Sequence, residues 1–93
     1  MDLPDLWASI EADLARARST LPDDSANHES ICEYQDFLNH NELELACDML
    51  EDYAKDHQVS REFWLALCDA ATRMQLPRAN RYKENARGTS DKF

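Results

Sequence analysis

Apolar residues recur at intervals of three and four along most of this chain, and few residues interrupt that pattern. This spacing places them on one side of a helix with 3.6 residues per turn. The 93 residues include one Gly and three Pro, too few for the many tight turns of a sandwich or barrel. Leu, Ala, Glu, Asp and Arg are abundant, and this composition favours helix. The sequence therefore predicts an all-α fold.

The periodic segments predict four helices, over residues 4–18, 28–38, 42–57 and 61–74. Short loops place consecutive helices antiparallel, so we expect a compact antiparallel bundle of four helices. Residues 78–86 leave room for a short fifth helix. We expect residues 1–77 to form a single helical domain and residues 78–93 to form a basic C-terminal tail that is partly flexible.

Polar residues ahead of each apolar run predict where the helices begin. Asn27 or Ser25 is expected to cap the second helix, because their side-chain oxygens accept from free backbone N–H groups. Asn41 and Glu44 form the pattern of a capping box for the third helix. Ser60 is expected to cap the fourth helix.

Acidic residues are concentrated in the first three-quarters of the chain. Residues 1–72 contain 17 Asp or Glu against 4 Lys or Arg, a formal net charge of −13, whereas residues 73–93 carry a net +4. A domain charged in this way repels nucleic acid and anionic membranes and attracts basic protein surfaces. We expect the basic tail to fold back on the acidic helices, with an exposed flexible tail as the alternative.

Four carboxylates of the third helix follow one another at helical spacing and form what we call the acidic stripe: Glu44, Asp48, Glu51 and Asp52. Like charges at this spacing destabilise their own helix. The stripe has three interpretations: a solvated face, a docking surface for a basic protein, or a divalent-cation site. Carboxylates along one straight helix do not converge on a cation without ligands from another element, which favours the first two. The predicted partner-binding residues are this stripe with Glu33 and Asp36 on the preceding helix.

Residue types that carry metal or catalytic chemistry are present without the spacing that this chemistry needs. His28 and Cys32 supply two ligands on one helical face, fewer than a structural zinc site requires. His40 and His57 stand at the C-terminal ends of the second and third predicted helices, where a histidine complements the negative end of the helix dipole. No Glu-x-x-His motif, Gly-rich loop or nucleophile motif occurs. We therefore predict no metal, no cofactor and no enzymatic activity.

The cysteines and the hydropathy pattern bear on the compartment. Cys32, Cys47 and Cys68 are an odd number without metal spacing, which indicates reduced thiols. No run approaches the roughly 18 apolar residues of a membrane span. The first residues are acidic and lack the basic segment of a secretory signal. We expect a cytoplasmic protein.

The two tryptophans, Trp7 and Trp64, lie on the apolar sides of their predicted helices. Core packing is the simpler expectation for both. An exposed Trp would instead anchor an interface. The sequence leaves both alternatives open.

Residues 29–77 resemble a known family. An aromatic-Leu pair (Phe37-Leu38) precedes His40, Glu42 and a Leu-Ala pair, and the pattern continues with Met-Leu-Glu-Asp at 49–52, Phe-Trp-Leu-Ala-Leu at 63–67 and Ala-Ala-Thr-Arg-Met at 70–74. This is similar to the small, acidic, all-helical immunity proteins of bacterial polymorphic toxin systems, of the Maf type, or to a related family of small helical bacterial proteins. Residues 1–26 and the basic tail lie outside the resemblance.

The resemblance implies a protein that binds its partner stoichiometrically and neutralises a cognate bacterial toxin. Nuclease toxins are basic, so their inhibitors tend to be acidic, in line with the charge. We therefore predict a basic protein partner, such as a toxin domain, with no nucleic acid and no membrane. The alternative is a helical adaptor, regulatory or homodimeric interaction protein. The oligomeric state stays open.

Overall fold

The structure, a computed structural model, describes residues 3–89 of the chain. Within this range the chain forms five α-helices, one short 3₁₀ helix and no strands. The elements are α1 (Leu3–Ser19), the 3₁₀ helix (Asp23–Asn27), α2 (Glu29–Asn39), α3 (Leu43–Asp56), α4 (Arg61–Arg73) and α5 (Ala79–Gly88). The all-α prediction is confirmed, each of the four expected helices is present, and the fifth helix forms. None of the helices described combines the length and apolar character needed to cross a membrane.

The cap of α2 is a histidine, so the prediction of Asn27 or Ser25 is wrong. The Nδ1 atom of His28 accepts a hydrogen bond from the backbone N–H of Ser30 at 3.1 Å. Ser25 is buried within the 3₁₀ helix, where its backbone N–H donates to the carbonyl of Pro22 at 3.0 Å. The 3₁₀ helix therefore uses the residues that the sequence assigned to capping, and the cap moves to the next residue with a free acceptor.

The predicted capping box of α3 is also wrong, because Asn41 closes α2 instead. Asn41 has a φ of 58°, in the left-handed region that a helix ending of this kind requires. Its N–H donates to the carbonyl of Leu38 at 3.1 Å, and the N–H of Glu42 donates to Phe37 at 2.9 Å. Both hydrogen bonds satisfy carbonyls that the helix end leaves free. The residue before α3, Glu42, makes no side-chain cap.

The end of α4 repeats this arrangement. Gln75 has a φ of 60°, and the N–H groups of Gln75 and Leu76 donate to the carbonyls of Thr72 and Ala71. The start of α4 agrees with the sequence prediction, because the Ser60 hydroxyl accepts from the N–H of Phe63 at 3.2 Å.

The core lies where α3 meets its neighbours. α1 packs on α4, α4 packs on α5, and α2 packs on α3, while α3 also contacts α1 and α4. Side chains that are completely buried come from four different helices: Leu14, Leu50, Phe63, Leu67 and Tyr82. α3 therefore packs against several helices at once.

Ion pairs set the register between α1 and α4. The Nε of Arg73 donates to Asp13 at 2.7 Å, and Arg16 contacts Asp69 at 2.6 Å and Glu62 at 3.2 Å. Later residues of α1 thus meet earlier residues of α4, so the two helices are antiparallel. Asp13 pairs with the last residue of α4.

The segment after Pro77 belongs to the same core. α5 buries Tyr82 completely and leaves Ala86 only 2% exposed. The boundary that the sequence places after residue 77 coincides with the turn between α4 and α5. Residues 90–93 of the predicted tail lie outside the described residues.

Candidate protein-docking surface

The acidic stripe divides between two neighbouring helices. Arg78, at the start of α5, forms an ion pair with Asp48 and lies 3.8 Å from a carboxylate oxygen of Glu51 and 4.0 Å from one of Glu44. Asp52 faces the other way and accepts a hydrogen bond from the Ser30 hydroxyl of α2 at 2.7 Å. Three members of the stripe are therefore directed toward α5, and one is directed toward α2.

Glu51 connects α3 to α5 most tightly. Its Oε1 accepts a hydrogen bond from the Tyr82 hydroxyl at 2.6 Å, and its Oε2 forms an ion pair with Arg81. Its side chain is only 14% exposed. The prediction that the basic segment folds back on the acidic helices is confirmed for Arg78 and Arg81, and these contacts compensate charge on α3.

Burial changes the acidity of two groups beneath these ion pairs. The thiol of Cys47 lies 3.8 Å from the Tyr82 hydroxyl, and both residues are completely buried. Burial raises the pKa of Cys47 to about 11. Burial, together with the neighbouring Cys47 and Glu51, raises the pKa of Tyr82 well above its usual range. The Cys47 thiol is therefore protonated and enclosed at neutral pH, which does not suit a nucleophile.

Glu33 and Asp36 lie on the exposed side of α2. Neither carboxylate makes an ion pair within the part of the chain that the structure describes. Arg18, at the end of α1, lines the same shallow groove as Asp36, but the two side chains are not paired. The two predicted α2 residues are thus available to a partner, whereas Asp48 and Glu51 are already engaged.

Sequence reasoning missed several carboxylates beside these two. The residues from 19 to 54 contain ten acidic side chains and no Lys or Arg. Five of the ten lie on the 3₁₀ helix and α2, and all five are exposed. We call this set the α2 acidic face: Asp23, Asp24, Glu29, Glu33 and Asp36. The absence of basic residues over this length is a signal that the sequence carries in itself.

The geometry of α2 turns the acidic face toward solvent. At 100° per residue, Glu29, Glu33 and Asp36 fall within an arc of about 60°. Ile31 and Tyr34 are buried on the other side of the helix. These three carboxylates therefore share one exposed side of α2.

Histidines at helix ends have the structural role predicted for them. The Nδ1 of His40 lies 2.7 Å from the carbonyl of Asp36, and the Nδ1 of His57 lies 3.0 Å from that of Tyr53. Tyr53 and His57 stack with ring centroids 4.0 Å apart. At each helix end, a histidine ring is thus within hydrogen-bond reach of a backbone carbonyl in the last turn.

The two side chains considered as metal ligands, His28 and Cys32, both contact the backbone. His28 uses its Nδ1 for the α2 cap, and the Cys32 thiol is 3.5 Å from the carbonyl of Ala26. No group of three or more metal-ligating side chains converges among residues 3–89. The His28 ring also packs edge-on against the rings of Tyr53 and His57, with centroids 5.0 Å and 4.9 Å away.

The two tryptophans have different environments. Trp64 is partly buried between Phe63 and Tyr82, with ring centroids 5.2 Å and 5.8 Å away. Trp7 is 47% exposed near the start of α1, with Leu3 at 62%. Core packing thus describes Trp64, whereas Trp7 is a surface residue.

Comparison with protein-family models, with curated proteins and with solved structures finds no match to this chain.

Proposed function

We propose that this chain is a stoichiometric binding protein that docks a basic protein partner through the α2 acidic face. The observation that carries the proposal is a stretch of 36 residues, 19–54, in which exposed carboxylates have no Lys or Arg among them. Such a surface lowers the stability of its own fold through repulsion. It also attracts a basic partner and speeds the encounter.

Internal compensation of charge in the rest of the molecule supports this assignment. Arg16 and Arg73 pair with acidic residues between α1 and α4, and Arg78 and Arg81 pair with those of α3. No such pair involves the α2 acidic face within residues 3–89. The α2 acidic face therefore carries carboxylates that no Lys or Arg compensates among the described residues.

Within this class, we propose an immunity protein that neutralises a cognate bacterial toxin in the cytoplasm without enzymatic activity of its own. The resemblance over residues 29–77 supports this role, because it includes the whole of α2 and α3. The six residues predicted from sequence stay part of the proposal, with Glu33 and Asp36 as direct contacts. Asp48 and Glu51 contribute indirectly, because their ion pairs with Arg78 and Arg81 hold α5 against α3.

The second candidate is a helical adaptor or regulatory protein, and the exposure of Trp7 favours it. A half-exposed aromatic residue is a typical anchor in a protein interface. An adaptor would bind a partner whose expression alone does no harm to the cell.

The test begins with chemical crosslinking of the tagged protein in its native cell and identification of the partner by mass spectrometry. The partner is then expressed in a heterologous host with and without this protein. Growth arrest that this protein relieves, in a 1:1 complex, supports immunity. If expression of the partner alone does not arrest growth, the protein is better assigned as an adaptor.

Binding kinetics with the purified partner test the surface. We expect the charge reversals Glu33→Lys and Asp36→Lys to slow association steeply at low salt and less at high salt. Glu84→Lys on α5 is the matched control, because it changes the net charge equally at a position that is 68% exposed. If all three variants slow association equally, net charge alone sets the association rate, and the α2 acidic face is not part of the interface.

A further inference from the structure

His28 lies at the joint between the 3₁₀ helix and α2, where three rings meet. Its ring is edge-on to those of Tyr53 and His57, with centroids 5.0 Å and 4.9 Å away. The rings of Tyr53 and His57 stack on each other. We call these three residues the ring cluster. Two histidines therefore join the start of α2 to the end of α3, and histidine is the side chain that changes its charge near neutral pH.

Hydrogen bonds fix which nitrogen of each histidine carries a proton. The Nδ1 of His28 accepts from the backbone N–H of Ser30 at 3.1 Å, so this nitrogen has a free lone pair and no proton. The Nδ1 of His57 lies 3.0 Å from the carbonyl of Tyr53, and because a carbonyl only accepts, this nitrogen carries a proton. Both nitrogens of a charged imidazole are donors. His57 therefore keeps its hydrogen bond when its ring is charged, whereas His28 loses its own.

Titratable groups of three elements lie around the joint and act on the proton in opposite directions. At this end of the molecule they are Asp23 and Asp24 of the 3₁₀ helix, Glu29 and Cys32 of α2, and Asp52, Tyr53, Asp56 and His57 at the end of α3. Lys55 of α3 lines a separate groove with Glu51 and Glu84. The carboxylates attract a proton to the joint, whereas His57 and the positive end of the α2 dipole repel a second charge.

The carboxylates do not replace the lost acceptor. Asp52 accepts from the Ser30 hydroxyl at 2.7 Å, but the N–H of Ser30 bonds to His28 and to none of the carboxylates within residues 3–89. Ser30 is 4% exposed, so water does not readily reach this N–H while the first turn of α2 is in place. A proton on the Nδ1 of His28 therefore leaves a buried donor unsatisfied, and the first turn of α2 must open to expose it.

We infer that His28 is a pH-sensitive switch at the start of α2, closed by the neutral ring and opened when the ring takes up a proton. The sign follows from the cap. A neutral His28 caps α2 at the upper end of the range in which imidazoles titrate, and the cap is lost as the pH falls through that range. The remainder of α2 stays in place, because Ile31 and Tyr34 are buried against the core.

The switch also regulates the proposed docking surface, and this part of the inference rests on the proposed function. Asp23, Asp24 and Glu29, three of the five residues of the α2 acidic face, flank His28 in the chain. Opening of the first turn removes the fixed spacing between them, and the charge gained by His28 offsets part of theirs. A basic partner should therefore be bound at neutral pH and released in acid.

NMR spectroscopy of the ¹⁵N-labelled full chain between pH 8 and pH 5 tests the switch without a partner. The Ser30 amide resonance should shift with the same midpoint as the His28 ring. Its protection against hydrogen exchange, corrected for the intrinsic rate at each pH, should fall about fivefold, as expected for the loss of one helix cap.

His28→Asn supplies a cap acceptor that does not titrate in this range, so the protection of Ser30 should become independent of pH. His40→Asn is the matched control, because His40 also lies at a helix end but contacts the carbonyl of Asp36, and it should leave the response of Ser30 unchanged. An unchanged response in His28→Asn, or a Ser30 amide whose protection does not follow the His28 ring, overturns the switch.

A labelled oligolysine peptide, followed by fluorescence anisotropy, separates the regulation from the proposed function. We expect its affinity to fall severalfold from neutral pH to the acid end of the range in the unmodified protein, and less in His28→Asn. If Ser30 responds to pH and both proteins lose affinity equally, the regulation fails and the docking surface stands. If Glu33→Lys weakens binding no more than Glu84→Lys does, the proposed function fails, and the NMR result still decides the switch.

Discussion

The hydroxyl of Tyr82 donates a hydrogen bond to Glu51 that holds α5 against α3, and its removal has a calculable cost. Tyr82→Phe preserves the completely buried ring and deletes this 2.6 Å hydrogen bond together with the weaker 3.8 Å contact with the Cys47 thiol. A hydrogen bond to a charged group contributes about 1.5–3 kcal/mol. Glu51 keeps its ion pair with Arg81, which lowers the penalty on the remaining carboxylate. We therefore expect a loss of about 1.5 kcal/mol in the free energy of unfolding.

Urea denaturation followed by tryptophan fluorescence measures this loss, because Trp64 lies 5.8 Å from the Tyr82 ring. With a denaturant dependence of about 1.5 kcal/mol per molar urea, the midpoint should fall by about 1 M. Tyr34→Phe is the matched control. Tyr34 is 2% exposed, and its hydroxyl makes no hydrogen bond with the residues that the structure describes. Its midpoint should move by less than about 0.3 M, since the change removes no hydrogen bond within that range.

Equal midpoints for Tyr82→Phe and the unmodified protein would refute the reasoning, since they would mean that the hydroxyl does not stabilise the docked α5. Equal losses in both variants would refute it in another way. The effect would then belong to any buried tyrosine rather than to the contact with Glu51.

Three further predictions follow from buried or capping groups. Cys47 has a pKa of about 11 in the folded protein, above its usual value near 9. The buried neutral thiol therefore stabilises the fold fully below pH 9, and this contribution to the free energy of unfolding is lost as the pH rises to 11. That loss amounts to about 2–3 kcal/mol; Cys47→Ala should flatten the dependence of the denaturation midpoint on pH, and an unchanged slope would contradict this. His28→Ala should cost about 1 kcal/mol more than His28→Asn, since both variants lose the ring contacts with Tyr53 and His57 but only Asn restores a cap acceptor; thermal melts compare them, and equal losses would argue against the cap. Arg73→Met should cost about 2 kcal/mol because Asp13, only 7% exposed, loses its nearest partner. Arg87→Met, in a pair exposed on both sides, should cost less than about 0.5 kcal/mol, and similar denaturation midpoints for the two variants would contradict the role of burial.

The sequence alone was enough to place the helices. Apolar spacing located four of them to within a few residues, and Ser60 marked the start of α4 correctly. These features depend on groups three or four residues apart, which the chain itself brings together. The caps at His28 and Asn41 were not predicted. Several neighbouring side chains compete for the same free backbone groups there, and the neighbouring turn decides among them.

Only part of the candidate docking surface could be predicted from the sequence. The excess of carboxylates over residues 19–54 is a property of composition, and Glu33 and Asp36 are exposed as a docking role requires. Which members of the acidic stripe are compensated depends on where α5 lies. Arg78 and Asp48 are thirty residues apart in the chain, as are Arg81 and Glu51. No local pattern predicts such a pairing.

The two tryptophans show most clearly what the sequence determines and what the tertiary structure determines. By itself, the sequence determined that Trp7 and Trp64 each lie on the apolar side of a helix, because side-chain direction follows from helical periodicity. Only the tertiary structure decided that Trp64 packs between Phe63 and Tyr82 while Trp7 stays 47% exposed. The physical reason is that burial requires a neighbouring helix of sufficient length at the right register. That register is set by contacts such as Asp13 with Arg73, which are sixty residues apart.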